Sequence, residues 1–306
     1  MCNTALRTVH RDRRPERPFT EIQSERNRGE KENLLRLALY AHYSKSGGLA
    51  LYVLFYLRKL REMGFQICLI SNSPIPQQKE KELHELCERV IQRSNVGYDF
   101  AMWQQALSEY DLNQFDELLL TNSSIIGPLH PLEPLWQHPA ISQCAFWGLT
   151  DNDEYGDHLQ SYFLVFRKQV LGHPCFLQFW RSVLPYQNRQ MVVQSYEVGL
   201  TNWLTQHGFK GNALFSMEML HSLLLSRRGF AERLKNRVTR AELPENTPML
   251  APDLLLEYGM PFLKMKLLNS GGNPRQQVGP DVAWHLLEHS DLPADILNEL
   301  RVMGSV

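Results

Sequence analysis

Short apolar runs that each break off into a polar cluster, separated by stretches of helical character, constrain the fold of this chain more than any other feature. Leu34-Leu35-Arg36-Leu37-Ala38-Leu39-Tyr40 gives way to His42-Tyr43-Ser44-Lys45-Ser46-Gly47-Gly48. Residues 49–63 read as a helix stopped by Gly64, and Gln66-Ile67-Cys68-Leu69-Ile70 ends in Ser71-Asn72-Ser73-Pro74. That is a strand-helix-strand unit. A charged helix over 77–88 and a short strand, Arg89-Val90-Ile91, extend the alternation. Such a pattern predicts an α/β fold, Rossmann-like, with a mostly parallel central sheet covered by helices.

In open α/β sheets ligands bind where strands give way to helices. Here that place is Arg93-Ser94-Asn95-Val96-Gly97-Tyr98-Asp99-Phe100, followed by a helix over 102–108. Arg93 has the charge to pair with a phosphate, Gly97 permits a turn or a close ligand approach, and Asp99 can accept from a sugar hydroxyl or cap the next helix. The same residues also describe a well-capped turn with a surface arginine. A second polar cluster, Thr121-Asn122-Ser123-Ser124, follows the apolar strand Glu117-Leu118-Leu119-Leu120. Further strands are expected over 145–150 and 161–166, divided by the acidic stretch 151–160, with helices over 217–226 and 282–288. Pro261-Phe262-Leu263-Lys264 and 269–279 read as turn and loop. Glu197 opens a segment of helical spacing that stops at Gly208, where a carboxylate can serve the helix N-terminus.

With 306 residues, 43% hydrophobic and 21% charged, the chain can bury a substantial core. Its net charge of −1 argues against nucleic acid as a partner. Five scattered cysteines without a CxxC pair indicate neither a disulfide framework nor a zinc site, and fit a reducing cytoplasm. The most apolar run, 49–57, is far below the roughly 20 residues of a membrane span. Residues 1–32, basic and acidic in turn, read as a flexible extension that could touch anionic lipid, and 291–306 as a C-terminal tail.

Several stretches, in order, resemble the rhamnan synthesis protein F family of glycosyltransferases, which carry a GT-A-like fold. They are Ala41-His42-Tyr43, Ser71-Asn72-Ser73, the Arg93–Phe100 loop, Phe146-Trp147-Gly148-Leu149-Thr150, His158-Leu159-Gln160-Ser161-Tyr162-Phe163, Phe179-Trp180, Tyr196-Glu197-Val198-Gly199-Leu200 and Pro261-Phe262-Leu263-Lys264. The resemblance implies one GT-A-like domain over 33–290, with a nucleotide-sugar half over about 33–128 and an acceptor half over about 129–290. It implies transfer of L-rhamnose from dTDP-L-rhamnose, with inversion, to a bacterial surface polysaccharide, lipopolysaccharide or lipid-linked glycan, in the cytoplasm or at the cytoplasmic face of the inner membrane.

Under that resemblance Glu197 is the base. His42, Tyr43, Asn72, Arg93, Asn95, Gly97, Tyr98, Asp99, Asn122, Ser124 and Lys264 bind the donor, and Trp147, Asp151, His158 and Gln160 face the acceptor. Trp103 and Tyr162 are further candidates for stacking on a sugar, whereas Phe163 and Trp180 belong to the core. Where relatives have Asn-Asp-Ser, this chain has Asn122-Ser123-Ser124, so a Mg²⁺ or Mn²⁺ ion loses its carboxylate and must rely on Asn122 and Ser124. The competing expectation is a nucleotide-sugar-binding or scaffold subunit without catalysis.

Overall fold

A computed structural model describes residues 34–45, 47–226, 247–268 and 279–304; the charged extension 1–32 and most of the loop 269–279 lie outside them. The strands are β1 (Arg36–His42), β2 (Phe65–Ser71), β3 (Arg89–Gln92), β4 (Glu117–Asn122), β5 (Ile125–Ile126), β6 (Phe146–Asn152), β7 (His158–Leu159), β8 (Phe163–Arg167), β9 (Gly211–Phe215) and β10 (Leu263–Lys264). The main helices of the first half are α1 (Leu51–Glu62), α2 (Gln77–Leu86) and α3 (Tyr98–Leu107). Next come the short α4 (Glu133–Trp136) and α5 (Lys168–Leu171), then α6 (Pro174–Arg181) and α7 (Arg189–Val192). A π-helix, Val193–Val198, joins α7 to α8 (Gly199–Gln206). The last are α9 (Met217–Ser226), α10 (Thr247–Leu250), α11 (Pro252–Glu257), α12 (Pro280–Glu288) and α13 (Ala294–Gly304).

The main sheet has the order β3-β2-β1-β4-β8-β6-β7, with β9 pairing β6. Neighbours β3, β2, β1 and β4 are parallel, as are β6 and β9, while β8 runs against β4 and β6. The mixed α/β fold with a mostly parallel, helix-covered sheet is thus as the alternation predicts. Successive side chains of a strand point to opposite faces, and the core divides accordingly. From β1, Ala38 and Tyr40 pack with Leu54 and Leu57 of α1, whereas Leu37, Leu39 and Ala41 pack with Met102 and Trp103 of α3 and Phe176 of α6. Both faces are buried, which is why β1 and β4 read as continuous apolar runs.

Three local expectations are corrected. The expected C-terminal tail over 291–306 is not free as far as Gly304: α13 packs against α1, burying Ile296 and Leu300, after Leu292. Each such side chain contributes roughly 1.5–3 kcal/mol by leaving water, and the Glu299 carboxylate accepts the Leu51 N–H at the start of α1. Leu263–Lys264 is not turn but β10, antiparallel to β5, which fixes Lys264 opposite Ile125. Such a two-residue ladder is too short to leave a pattern in sequence. Finally, Glu197 is not in a first turn. It lies inside a continuous helical segment from Arg189 to Gln206, so the role of stabilising a helix N-terminus falls away.

Candidate functional site

The parallel strands β1, β2 and β3 end side by side, with His42 opposite Ser71 and Ser71 opposite Gln92. The polar clusters that follow them therefore meet on one rim. His42 is buried, its Nδ1 2.8 Å from the Ser71 hydroxyl, and burial pulls the imidazole down to about 4. A neutral, covered ring holds the strand ends together; Tyr43, 47% exposed, is the member of the pair that faces outward. The Asn72 Nδ2 donates to Asn95 Oδ1 at 3.2 Å. Two buried polar atoms in this rim lack a hydrogen-bond partner, Asn72 Oδ1 and Arg93 Nη1. Burial also works against the Arg93 charge. Orphaned buried groups are costly, about 1–3 kcal/mol each, and a group offering a donor to Asn72 Oδ1 and an acceptor to Arg93 Nη1 would satisfy both.

Gly97 has φ +83°, and a Cβ there would lie 2.5 Å from Ala101 Cβ and 2.7 Å from Pro185 Cα, so both conformation and close packing exclude a side chain. The next residue, Tyr98, also has positive φ (+54°), the sort of strain that collects at functional loops. α3 begins four residues earlier than the sequence indicates, which puts Asp99 in its first turn instead of in the loop.

Asp99 faces a second cluster. Its Oδ2 accepts from Asn122 Nδ2 at 2.8 Å, at the end of β4. Lys264, carried there by the β5–β10 ladder, places Nζ 3.4 Å from the centroid of the Tyr162 ring, a close cation–π contact. Burial lowers the Lys264 ammonium to about 7, against the pull of Glu197 and Asp99, which favour its charge. Burial raises the Asp99 carboxyl to about 6, opposed by the Asn122 hydrogen bond and reinforced by the negative charge of Glu197. Glu197 itself is aimed by the π-helix, a feature often found at functional positions. Its Oε1 accepts from the Ser161 N–H (2.6 Å) and hydroxyl (2.7 Å), and its Oε2 makes no hydrogen bond among the described residues. Two carboxylates and a lysine thus share one basin, with one carboxylate oxygen left open.

The acceptor assignments fare differently. Trp147 is fully buried against Trp136 and Phe163, and Trp103 is buried with its Nε1 donating to the Leu39 carbonyl, so neither can stack on a sugar. Alternation within β6 and the first turns of α3 sends these rings to the core. His158 and Gln160 are buried as well: His158 Nδ1 lies 2.7 Å from the Gly156 carbonyl, and Gln160 Oε1 accepts the Thr150 hydroxyl at 2.6 Å. Thr150 in turn contacts the Tyr162 hydroxyl at 2.6 Å, so Gln160 steadies the ring beneath Lys264. Asp151 accepts the Met217 N–H at the start of α9.

The residues after β4 do not fit a resident divalent cation. Hard cations need several oxygens, carboxylates foremost. Asn122 Oδ1 already accepts from Ser124 N–H and hydroxyl, and the Ser123 hydroxyl both accepts from Tyr43 N–H and donates to Tyr43 O. Among the described residues no group of three or more His, Cys, Asp or Glu is placed to hold a metal. A further charge acts on this cluster with little in the sequence to mark it. Arg189, at the start of α7, is exposed, and its charge favours ionised Asp99 and disfavours protonated Lys264. Only Asn188, which caps α7 through the N–H groups of Gln190 and Met191, marks this position in the sequence. Among the described residues no helix is long and apolar enough to cross a membrane.

Similar proteins include the uncharacterized protein y4gN of Sinorhizobium fredii, 26% identical over 168 residues, or 53% of this chain and 44% of that protein. Virulence protein VirA of Vibrio anguillarum is 26% identical over 149 residues, 47% of each. The chain spans about half the length of these curated relatives. Among solved structures, the glycosyltransferase GlyE of Streptococcus pneumoniae overlaps in part, with a TM-score of 0.40 at 14% identity over 88% of this chain and 64% of that one. A 4-diphosphocytidyl-2C-methyl-D-erythritolsynthase from Anaerococcus prevotii gives 0.37 at 11% identity over 60% and 89%. The model of rhamnan synthesis protein F matches residues 67–303, more than half of the chain, which therefore belongs to that family.

Proposed function

We propose that the protein is an inverting, GT-A-like glycosyltransferase that moves L-rhamnose from dTDP-L-rhamnose to a hydroxyl of a surface polysaccharide or lipid-linked glycan, working at the cytoplasmic side of the inner membrane. The observation that carries the reading is the basin in which Glu197, Asp99 and Lys264 meet, beside a rim with two orphaned buried polar atoms. Asn72 Oδ1 suits the imide N–H of a thymine or uracil ring, and Arg93 Nη1 suits a carbonyl or phosphate oxygen. On this reading Tyr43, Asn95, Tyr98, Asp99, Asn122 and Ser124 are further donor contacts.

In the transfer step the acceptor oxygen forms a bond to the sugar C1 while the bond from C1 to the diphosphate oxygen breaks. The electron pair leaves with the diphosphate, and the acceptor proton passes to Glu197 Oε2. Glu197 Oε1, fixed by Ser161, sets the direction of that oxygen. Lys264 in its charged form offsets the negative charge that develops on the leaving group.

The competing reading, a nucleotide-sugar-binding or scaffold subunit, is favoured by Ser123 in the place of the family's acid. One experiment separates the two. The purified protein is incubated with dTDP-L-rhamnose and a polyrhamnose acceptor, with UDP- and GDP-sugars in parallel, and nucleoside diphosphate release is followed. Acceptor-dependent release of dTDP is expected; binding of dTDP-L-rhamnose without release would reject the enzyme in favour of the binding subunit.

A further inference from the structure

We infer that Arg189, carried by the segment 185–189 as it folds over the Arg93–Phe100 loop, is a second cation for the leaving diphosphate and takes the place that a divalent metal would otherwise fill. The inference rests on the donor reading above. The segment is seated on the loop at two points. Gly97 lets the Pro185 backbone come so close that a Cβ would stand 2.7 Å from Pro185 Cα, and the Tyr98 hydroxyl donates to the Gln187 carbonyl at 3.3 Å. α3 and α7 pack together, and the Asn188 side chain fixes where α7 starts.

Those contacts bring the start of α7, and Arg189 with it, beside α3, whose first turn carries Asp99. Its guanidinium makes no ion pair or side-chain hydrogen bond among the described residues, unlike Arg58, Arg89 and Arg301, which are each held by a carboxylate. Its charge acts on Asp99 and Lys264, favouring the ionised carboxylate and the neutral amine, and Glu197 stands further along the same helical segment. The basin therefore holds two carboxylates against two cations, and a diphosphate entering it adds negative charge that Lys264 alone does not balance. An arginine is suited to that task, since its planar fork can grip two phosphate oxygens together. When the bond from C1 to oxygen breaks and its electron pair passes to the diphosphate, the added charge lands beside the guanidinium.

The strain at Tyr98 gains a purpose in this account. A residue in the left-handed region is kept there by its surroundings, and here it presents the hydroxyl that holds Gln187, two residues before Arg189. Arg189 would contact the ligand; Gly97 and Tyr98 are positioning residues.

The test is calorimetric binding of dTDP and dTMP to the wild type, Arg189→Ala, Arg189→Lys and, as control, Arg181→Ala, an exposed arginine at the end of α6. Arg189→Ala is expected to weaken dTDP binding by about 10- to 100-fold, as for loss of a charge-assisted contact, with dTMP changed by less than about twofold. Arg189→Lys should keep part of the lost affinity, the effect should shrink as salt rises, and Arg181→Ala should match the wild type. Unchanged dTDP affinity in a folded Arg189→Ala protein overturns the inference and leaves the glycosyltransferase reading intact. So does an equal loss of dTDP and dTMP, which would mark the segment as a support for the loop. Failure of the wild type to bind either nucleotide overturns both readings.

Discussion

The rim at the ends of β1 to β3 and the basin between β4, β10 and the π-helix are only a loop apart, yet they treat polar groups in opposite ways. In the rim, Asn72 Oδ1 and Arg93 Nη1 are buried and unpaired. In the basin each charge has an opposite charge near it, and the cost of burial is expressed as displaced proton affinities, Asp99 up to about 6 and Lys264 down to about 7. The rim thus leaves two polar atoms unsatisfied, whereas the basin balances its charges internally. On the proposed function, recognition belongs to the first and proton and charge movement to the second.

The sharpest break between the two regions is expected from Glu197→Gln. It keeps the shape and one acceptor for Ser161 but removes the base, so turnover should fall by about 10²- to 10⁴-fold while donor affinity stays nearly intact. Near-normal turnover in a protein of unchanged melting temperature would pass the role of base to Asp99, the other carboxylate of the basin. The mirror experiment is Arg93→Ala, which should weaken donor binding by about 1.5–3 kcal/mol with turnover at saturation little changed. Since the Arg93 Nη1 has no partner to lose, its removal should leave thermal stability equal or slightly higher. A lowered melting temperature with full donor affinity would return the loop to a plain capped turn.

The basin should also reveal itself through pH. If catalysis needs Asp99 ionised and Lys264 protonated, kcat/KM rises as pH passes about 6 and falls as it passes about 7. Bound diphosphate should move the upper limb of kcat to higher pH by holding the proton on Lys264. Stability should run the other way. Between roughly pH 4 and 6 the folded protein holds a proton on Asp99 that the unfolded chain releases, so stability falls as pH rises. Between about pH 7 and roughly 10 the unfolded chain holds the Lys264 proton that the fold has released, so stability rises with pH. Both groups therefore place the lowest stability near the highest activity. Melting temperatures that peak between pH 6 and 7, with a flat rate profile, would contradict this account.

The rim was the legible half. Its residues sit within a few positions of strand ends that apolar runs announce, so Asn72, Arg93 and Asn95 are found by following the alternation. The basin draws on Asp99, Asn122, Glu197 and Lys264, far apart in sequence, and nothing local brings them together. In the sequence Glu197 is only a carboxylate in a helical segment and Lys264 only part of a turn, so their roles come from the family resemblance, and Arg189 has only the Asn188 cap before it, because a four-residue helix has no periodicity. The π-helix, which decides where Glu197 points, has no residue signature either. The resemblance puts Trp147 at the acceptor, whereas its place in β6 turns the ring inward. Conversely, Leu292, Ile296 and Leu300 stand at helical spacing of four, and α13 could have been read from them despite its charged neighbours.

The smallest effect concerns metal, and it tests whether the basin is as self-sufficient as its charges indicate. A Mg²⁺ or Mn²⁺ ion at a nucleotide-sugar site normally spans carboxylate and phosphate oxygens. In this chain the position after Asn122 offers a serine hydroxyl already engaged with the Tyr43 backbone, and the Asn122 carbonyl oxygen is taken by Ser124. The carboxylate in contact with that position is Asp99, and its Oδ2 is engaged with Asn122. Lys264, with Arg189, can offset the leaving charge without an ion, so EDTA should change the initial rate by less than about threefold, and added Mn²⁺ should act no more strongly. A useful contrast is Ser123→Asp, which restores a carboxylate beside Asn122 and should bring in a measurable response to Mn²⁺. Loss of all activity on chelation of the wild type, recovered on adding Mn²⁺, would mean that an ion is held by Asp99 with the phosphates themselves, and that the basin is completed by its substrate in the same way as the rim.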